Sequence, residues 1–125
     1  MYRAEVTHTD DFAFSVKTSS VAFVIDAKES ALTPLDALLA GLGSCIGVYI
    51  RKYAEGAKLA LEHFTVTVEA ELSKETPVSF KVIKASVDLK GALDERRKNA
   101  LLAFIKNCPV HNTLKGNPLI EMTLT

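Results

Sequence analysis

Hydrophobic and polar positions alternate along the first 25 residues of the chain. Tyr2, Ala4 and Val6 alternate with Arg3, Glu5 and Thr7; Phe12, Phe14 and Val16 follow, then Val21, Phe23 and Ile25, each run separated by polar turn residues. This spacing predicts three β-strands in a meander. From Leu35 the period lengthens to three and four: Leu35, Leu38, Leu39, Leu42, Ile46, Tyr49, Ile50 and Tyr53 predict one long helix. Thr33 is its expected N-cap, Pro34 its first residue, and Asp36 the carboxylate near its free N–H groups. Gly56 marks the expected end, with Arg51 and Lys52 near the last turn, where positive charge complements the dipole. No charged residue lies between Asp36 and Arg51, which predicts that the first four turns are buried. The opposite face carries Ala37, Ala40, Gly41, Gly43, Ser44 and Gly47, small residues that suit the close approach of another backbone. A helix buried on all sides is hard to house in so small a domain, so two chains sharing a core, an obligate homodimer, are expected.

Beyond the helix the period returns to two. Phe64, Val66, Val68, Ala70 and Leu72 alternate with His63, Thr65, Thr67, Glu69 and Glu71. After a turn around Thr76 and Pro77, Val78, Phe80 and Val82 begin a second run that shifts phase to Ile83, Ala85, Val87 and Leu89, as a bulge requires. The two runs predict a long hairpin. Leu93, Ala100, Leu101, Phe104 and Ile105 then predict a second amphipathic helix, with Asp94 and Glu95 near its start and its end at Cys108. Pro109 disfavours helical geometry at the residue before it but suits the first position of a new helix. Cys108 is therefore the expected N-cap of a short helix through Lys115, ended by Gly116, and Ile120, Met122 and Leu124 predict a last strand. The fold class is α+β, with antiparallel sheets, and residues 1–125 read as a single domain.

Composition narrows the function. Of 125 residues, 48% are hydrophobic, enough for a real core. Lys plus Arg number 15 and Asp plus Glu number 15, so no field of one sign exists to draw the chain onto nucleic acid or anionic lipid. No apolar h-region follows a basic N-terminal stretch, and no apolar run approaches the roughly 20 residues that span a bilayer, so a cytoplasmic protein without membrane or nucleic-acid partners is expected. In that reducing compartment a pair of cysteines is catalytic, redox-active or simply buried rather than a permanent staple.

Cys45 and Cys108 are the two cysteines. Cys45 sits on the flank of the long helix's apolar stripe, between Leu42 and Tyr49, where a small core residue also fits; an unpaired thiol buried there is inert. Cys108 caps a helix, where free N–H groups and the dipole favour thiolate. Their wide separation excludes a local C-x-x-C motif, and only a fold that joins the two helices permits a disulfide. His111, one turn after Cys108, makes Cys108, His111 and Cys45 conceivable soft ligands, but a structural zinc needs four, with only His8 and His63 left to supply another nitrogen; a hydrogen-bonded interface histidine is the plainer reading. No phosphate-binding glycine loop, nucleophile elbow or paired-carboxylate site stands out.

PLDALLAGLGSC around Cys45 and NCPVHNTLKGNP around Cys108 resemble the two cysteine motifs of the OsmC/Ohr family, named for osmotically inducible protein C and organic hydroperoxide resistance protein. The order of elements is similar along essentially the whole chain. The resemblance implies an intertwined homodimer with long central helices and active sites at the subunit interface. It implies a thiol-dependent peroxidase for organic hydroperoxides, in which Cys45 attacks the O–O bond and becomes a sulfenic acid, and Cys108 resolves it as a disulfide. A cellular dithiol, with lipoyl groups the family's suggestion, reopens that disulfide, so no metal, flavin or haem is implied. The chain departs from the best-understood members, in which a Glu ten residues before the reactive cysteine holds an N-terminal Arg against the thiolate: here that position is Leu35 and the only N-terminal arginine is Arg3, so the resemblance is closer to a less characterised OsmC-like branch. Asp36 is the neighbouring acid, but one residue rotates a helical side chain by about 100°. Arg3, Asp36 and His111 are the candidate accessory groups. The competing function is a non-catalytic OsmC-like dimer that binds a small apolar or thiol-reactive ligand.

Overall fold

Three strands open the chain: β1 (Glu5–Asp10), β2 (Ala13–Lys17) and β3 (Ala22–Asp26) form an antiparallel meander in the order β1-β2-β3. The computed structural model describes residues 1–61, 63–91 and 93–125, in two units, Met1–Ala40 and Gly41–Thr125. In the first unit the pleat sets Val16 opposite both Val6 and Phe23. Val16 is buried, whereas β1 is exposed along its length. After β3, the Asp26 carboxylate accepts hydrogen bonds from the Lys28 N–H (2.8 Å) and the Ser30 hydroxyl, and the Asp26 N–H donates to the Leu32 carbonyl (2.9 Å), folding the loop that leads to α1 (Pro34–Ala57). Thr33 caps that helix as expected. Its Oγ1 accepts from the Asp36 N–H (3.2 Å), its hydroxyl donates to the Asp36 carboxylate (2.8 Å), and its carbonyl accepts from Ala37 (2.9 Å).

In the second unit α1 buries Leu42, Ile46, Ile50 and Ala54, one residue every turn, which join Leu61, Leu101 and Cys108 in the core. A single chain offers the helix only this one surface. The expectation that the first four turns are buried is therefore not met: Leu35, Leu38 and Val48 are exposed, Val48 at 51%. Gly43 and Gly47 explain how closely α1 lies on the sheet of this unit, because a Cβ at Gly43 would stand 3.1 Å from Val68 and one at Gly47 would stand 3.6 Å from Phe64.

The helix also runs past its expected end. Gly56 lies inside the last turn, and Lys58 takes the left-handed conformation (φ 55°). Leu59 N–H then bonds the Ala54 carbonyl (2.8 Å) and Lys58 N–H the Glu55 carbonyl (3.3 Å), the paired bonds of a Schellman cap. Arg51 and Lys52 consequently fall short of the last turn. The Arg51 guanidinium instead donates to the Leu61 carbonyl (2.9 Å) and pairs with Glu55 (3.7 Å), tying down the chain after the helix. At 24 residues, α1 is by length and composition alone apolar enough to cross a membrane, contrary to the reading that no run approaches that length.

The hairpin follows as β4 (Thr65–Leu72) and β5 (Phe80–Asp88), antiparallel, with Val66, Val68, Ile83 and Val87 turned toward the core cluster. Ala70 pairs with Ile83 and Leu72 with Phe80, so β5 holds the extra residue, at the place where its hydrophobic phase shifts. Asp94 caps α2 (Glu95–Ile105) through the Arg97 N–H (2.8 Å). This helix stops at Ile105 rather than Cys108, and a turn through Lys106 and Asn107 delivers Cys108 to α3 (Pro109–Lys115), which Gly116 caps. Residues 117–125 form no strand, correcting the expectation for Ile120, Met122 and Leu124. An extended segment needs a neighbouring edge to satisfy its backbone groups, and among the described residues no strand pairs with it.

Candidate active site

The second unit brings Cys45 and Cys108 together. Cys45 lies partly buried on the flank of α1, packed against the cluster that contains the fully buried Cys108 (0% exposed). Both are free thiols. Pro109 decides where Cys108 goes, because it ends the turn after α2 and starts α3, leaving Cys108 as the N-cap at the junction of two helices. Its Sγ accepts a hydrogen bond from the His111 N–H (3.4 Å).

The electrostatics of Cys108 reverse the sequence expectation. Burial pushes its thiol above the ordinary range, a hydrogen bond with Cys45 raises it further, and the His111 backbone N–H pulls the other way with less effect, followed by a smaller raising contribution from the charge of Cys45. The helix N-terminus does favour thiolate, but desolvation wins. Cys108 is thus held toward its protonated form.

The accessory candidates divide. His111 belongs to the site through its backbone, whereas its ring Nδ1 meets the Asn112 side chain (3.2 Å) in an exposed position. Asp36 is engaged in the cap of α1 with Thr33. Arg3 pairs with Glu5 at 3.2 Å on exposed surface, the kind of ion pair worth little. Leu35, in the first turn of α1, is exposed. Among the described residues no three His, Cys, Asp or Glu side chains converge as metal ligands would.

An aromatic and cationic cluster lies further along α1. Tyr49 and Lys52 follow Cys45 at i+4 and i+7, the same face of the helix. The Tyr49 ring packs at 5.9 Å from Phe104, which also meets Tyr53 at 5.7 Å, and the Lys52 ammonium lies 4.7 Å from the centroid of the Tyr49 ring.

An α+β chain in which a long helix and a proline-initiated short helix join two reduced thiols defines the class. The OsmC-like protein family model matches residues 27–123, and the chain belongs to that family. No curated protein matches it. Among solved structures it is similar to one from Psychrobacter arcticus, provisionally described as an osmotic stress induced and detoxification response protein, with TM-score 0.81 at 21% identity over 90% of this chain and 88% of that one. An OsmC like protein from Mycoplasma pneumoniae gives TM-score 0.80 at 20% identity, over 93% and 88%. An organic hydroperoxide resistance protein OsmC from Legionella pneumophila gives 0.71 at 24%, over 94% and 90%. At these identities the likeness is one of fold.

Proposed function

We propose that the chain is a thiol-dependent reductase of organic hydroperoxides, acting in defence against peroxide stress. The observation that carries this reading is the unequal thiol pair: a partly exposed Cys45 within hydrogen-bonding reach of a buried Cys108 that keeps its proton. Family membership and the hydroperoxide resistance named for the Legionella pneumophila structure support it. The Cys45 thiolate attacks the outer oxygen of ROOH; the O–O bond breaks, the sulfur takes that oxygen as sulfenic acid, and RO⁻ leaves with a proton as the alcohol. Cys108 then attacks the oxidised sulfur, forming the disulfide and releasing water. A dithiol, with a lipoyl group as the candidate, returns both thiols by exchange. This cycle suits a reducing cytoplasm and a homodimer, with neither metal nor organic cofactor.

Intact mass under non-reducing conditions, before and after one equivalent of cumene hydroperoxide, tests the reading. The expected result is a loss of two hydrogens per chain, mapped to a Cys45–Cys108 link, with no turnover in Cys45→Ser and a single round of oxidation in Cys108→Ser. Two unchanged thiols after prolonged exposure overturn it. One observation favours the second reading, a non-catalytic dimer that binds a small apolar or thiol-reactive ligand: Asp36 is committed to the Thr33 cap, so it does not stand in for the carboxylate that Leu35 replaces.

A further inference from the structure

An α-helix begins with N–H groups that its own carbonyls cannot reach, and an acceptor outside the helical ladder must satisfy them. In α3 the Asn112 N–H already reaches the Cys108 carbonyl (3.0 Å), and Pro109 has no N–H to offer. That leaves Val110 and His111. The Cys108 sulfur accepts the His111 N–H at 3.4 Å, and the Val110 N–H bears on the same sulfur. One sulfur atom is therefore the side-chain cap of this helix. Little else holds α3: none of its seven residues is buried, Val110 and Leu114 pack against the core, and residues 117–125 beyond it form no strand. The capping sulfur is also hydrogen-bonded to Cys45, whose helix is anchored on either side of it by the buried Leu42 and Ile46. Cys108 thus stands between a firmly packed helix and a lightly held one.

We infer that the Cys108 sulfur is a redox-sensitive cap: joining it to Cys45 as a disulfide takes it from the Val110 and His111 N–H groups and loosens α3. This rests on the proposed reading of the two cysteines as a pair that oxidation links. In that step an organic hydroperoxide is reduced to an alcohol and water, each thiol gives up one proton and one electron, and a single S–S bond forms. A hydrogen bond between the sulfurs gives way to a shorter covalent one, so one of them must move. Cys45 is fixed within the 24 residues of α1, whereas Cys108 sits at a junction whose following helix has no buried residue. The displacement falls on Cys108, and the first turn of α3 loses its acceptor. Reduction restores the cap.

Amide hydrogen exchange, read residue by residue by NMR in the isotope-labelled full chain, follows the cap directly. Diamide serves as the oxidant: it takes two hydrogens from the thiol pair and becomes the hydrazine, so no peroxide is involved. Mass mapping verifies the Cys45–Cys108 link. The Val110, His111 and Asn112 amides should exchange about fivefold faster in the linked chain, the factor that loss of an ordinary side-chain N-cap gives. Those of Ile46 and Ile50 in α1 should not change. Cys108→Ser keeps a capping oxygen and Cys45→Ser keeps the capping sulfur, and neither can form the link, so both should stay slow in diamide. Cys108→Ala has no cap and should be fast with or without it. Unchanged exchange of α3 in a chain whose link is verified overturns the inference, as does a Cys108→Ala variant as slow as the unmodified chain. Failure of diamide to link the two thiols overturns both the cap switch and the pairing on which it rests. Loosening of α3 by diamide in a chain that leaves hydroperoxide intact keeps the switch and overturns the peroxidase reading alone.

Discussion

Cys108 is held neutral by its surroundings, and that has a consequence for stability. Burial first, then its hydrogen bond with Cys45, raise its titration above that of the same thiol in an unfolded chain. Below the ordinary thiol value, about 8.5, both states carry the proton and the stabilisation is fully present. As the pH climbs through that value the unfolded chain loses the proton while the folded chain keeps it, so the unfolded state binds fewer protons and stability falls. Urea midpoints at stepped pH between neutral and alkaline should therefore drop more steeply for the native chain than for Cys108→Ala, even though the variant starts lower because it leaves a cavity. Parallel lines would contradict the assignment. Both cysteines, the Pro109 break and the capping role of Cys108 were legible in the sequence, because each depends on near neighbours. The direction of the Cys108 titration was not, since local N–H groups argue for thiolate and only the tertiary burial of this residue reverses them.

Local chemistry also set the limits at the scale of elements. The meander, the hairpin with its bulge in β5 and the caps at Thr33 and Cys108 follow from period and capping residues. The end of α1 does not. Gly56 is a plausible stop in any sequence, yet the left-handed turn falls at Lys58, where Leu59 must reach back to the Ala54 carbonyl. A residue with a Cβ pays a steric penalty in that conformation that glycine avoids. Lys58→Gly should accordingly stabilise the chain by about 1 kcal/mol, less what glycine adds to the entropy of the unfolded chain. A denaturant midpoint that stays put or falls would mean that the Lys58 side chain makes a contribution the cap geometry does not reveal. The C-terminal segment is the opposite case, in which the alternation of Ile120, Met122 and Leu124 is plain and yet no strand forms.

At the scale of the whole molecule, each unit leaves large apolar side chains in water. The first unit, 1–40, buries only Val16 and Asp26, and its β1 has no covered face. A piece of this size cannot hold itself together by its own core. In the second unit Ile120 and Met122 are 72% and 87% exposed and Val48 sits bare on α1, although the residues around Val48 were predicted to be buried from their lack of charge. That expectation and the exposure are reconciled if the missing cover is a second copy of the chain, as the proposed homodimer requires. Sedimentation at micromolar concentration should then give twice the chain mass. Replacing Ile120 and Met122 together by Asp should shift the population toward the single chain and lower its unfolding midpoint, because two charges cannot be buried unpaired at an apolar interface. Should the unmodified chain sediment at its own mass, with the double variant equally stable, these side chains have no partner to lose, and the homodimer is wrong.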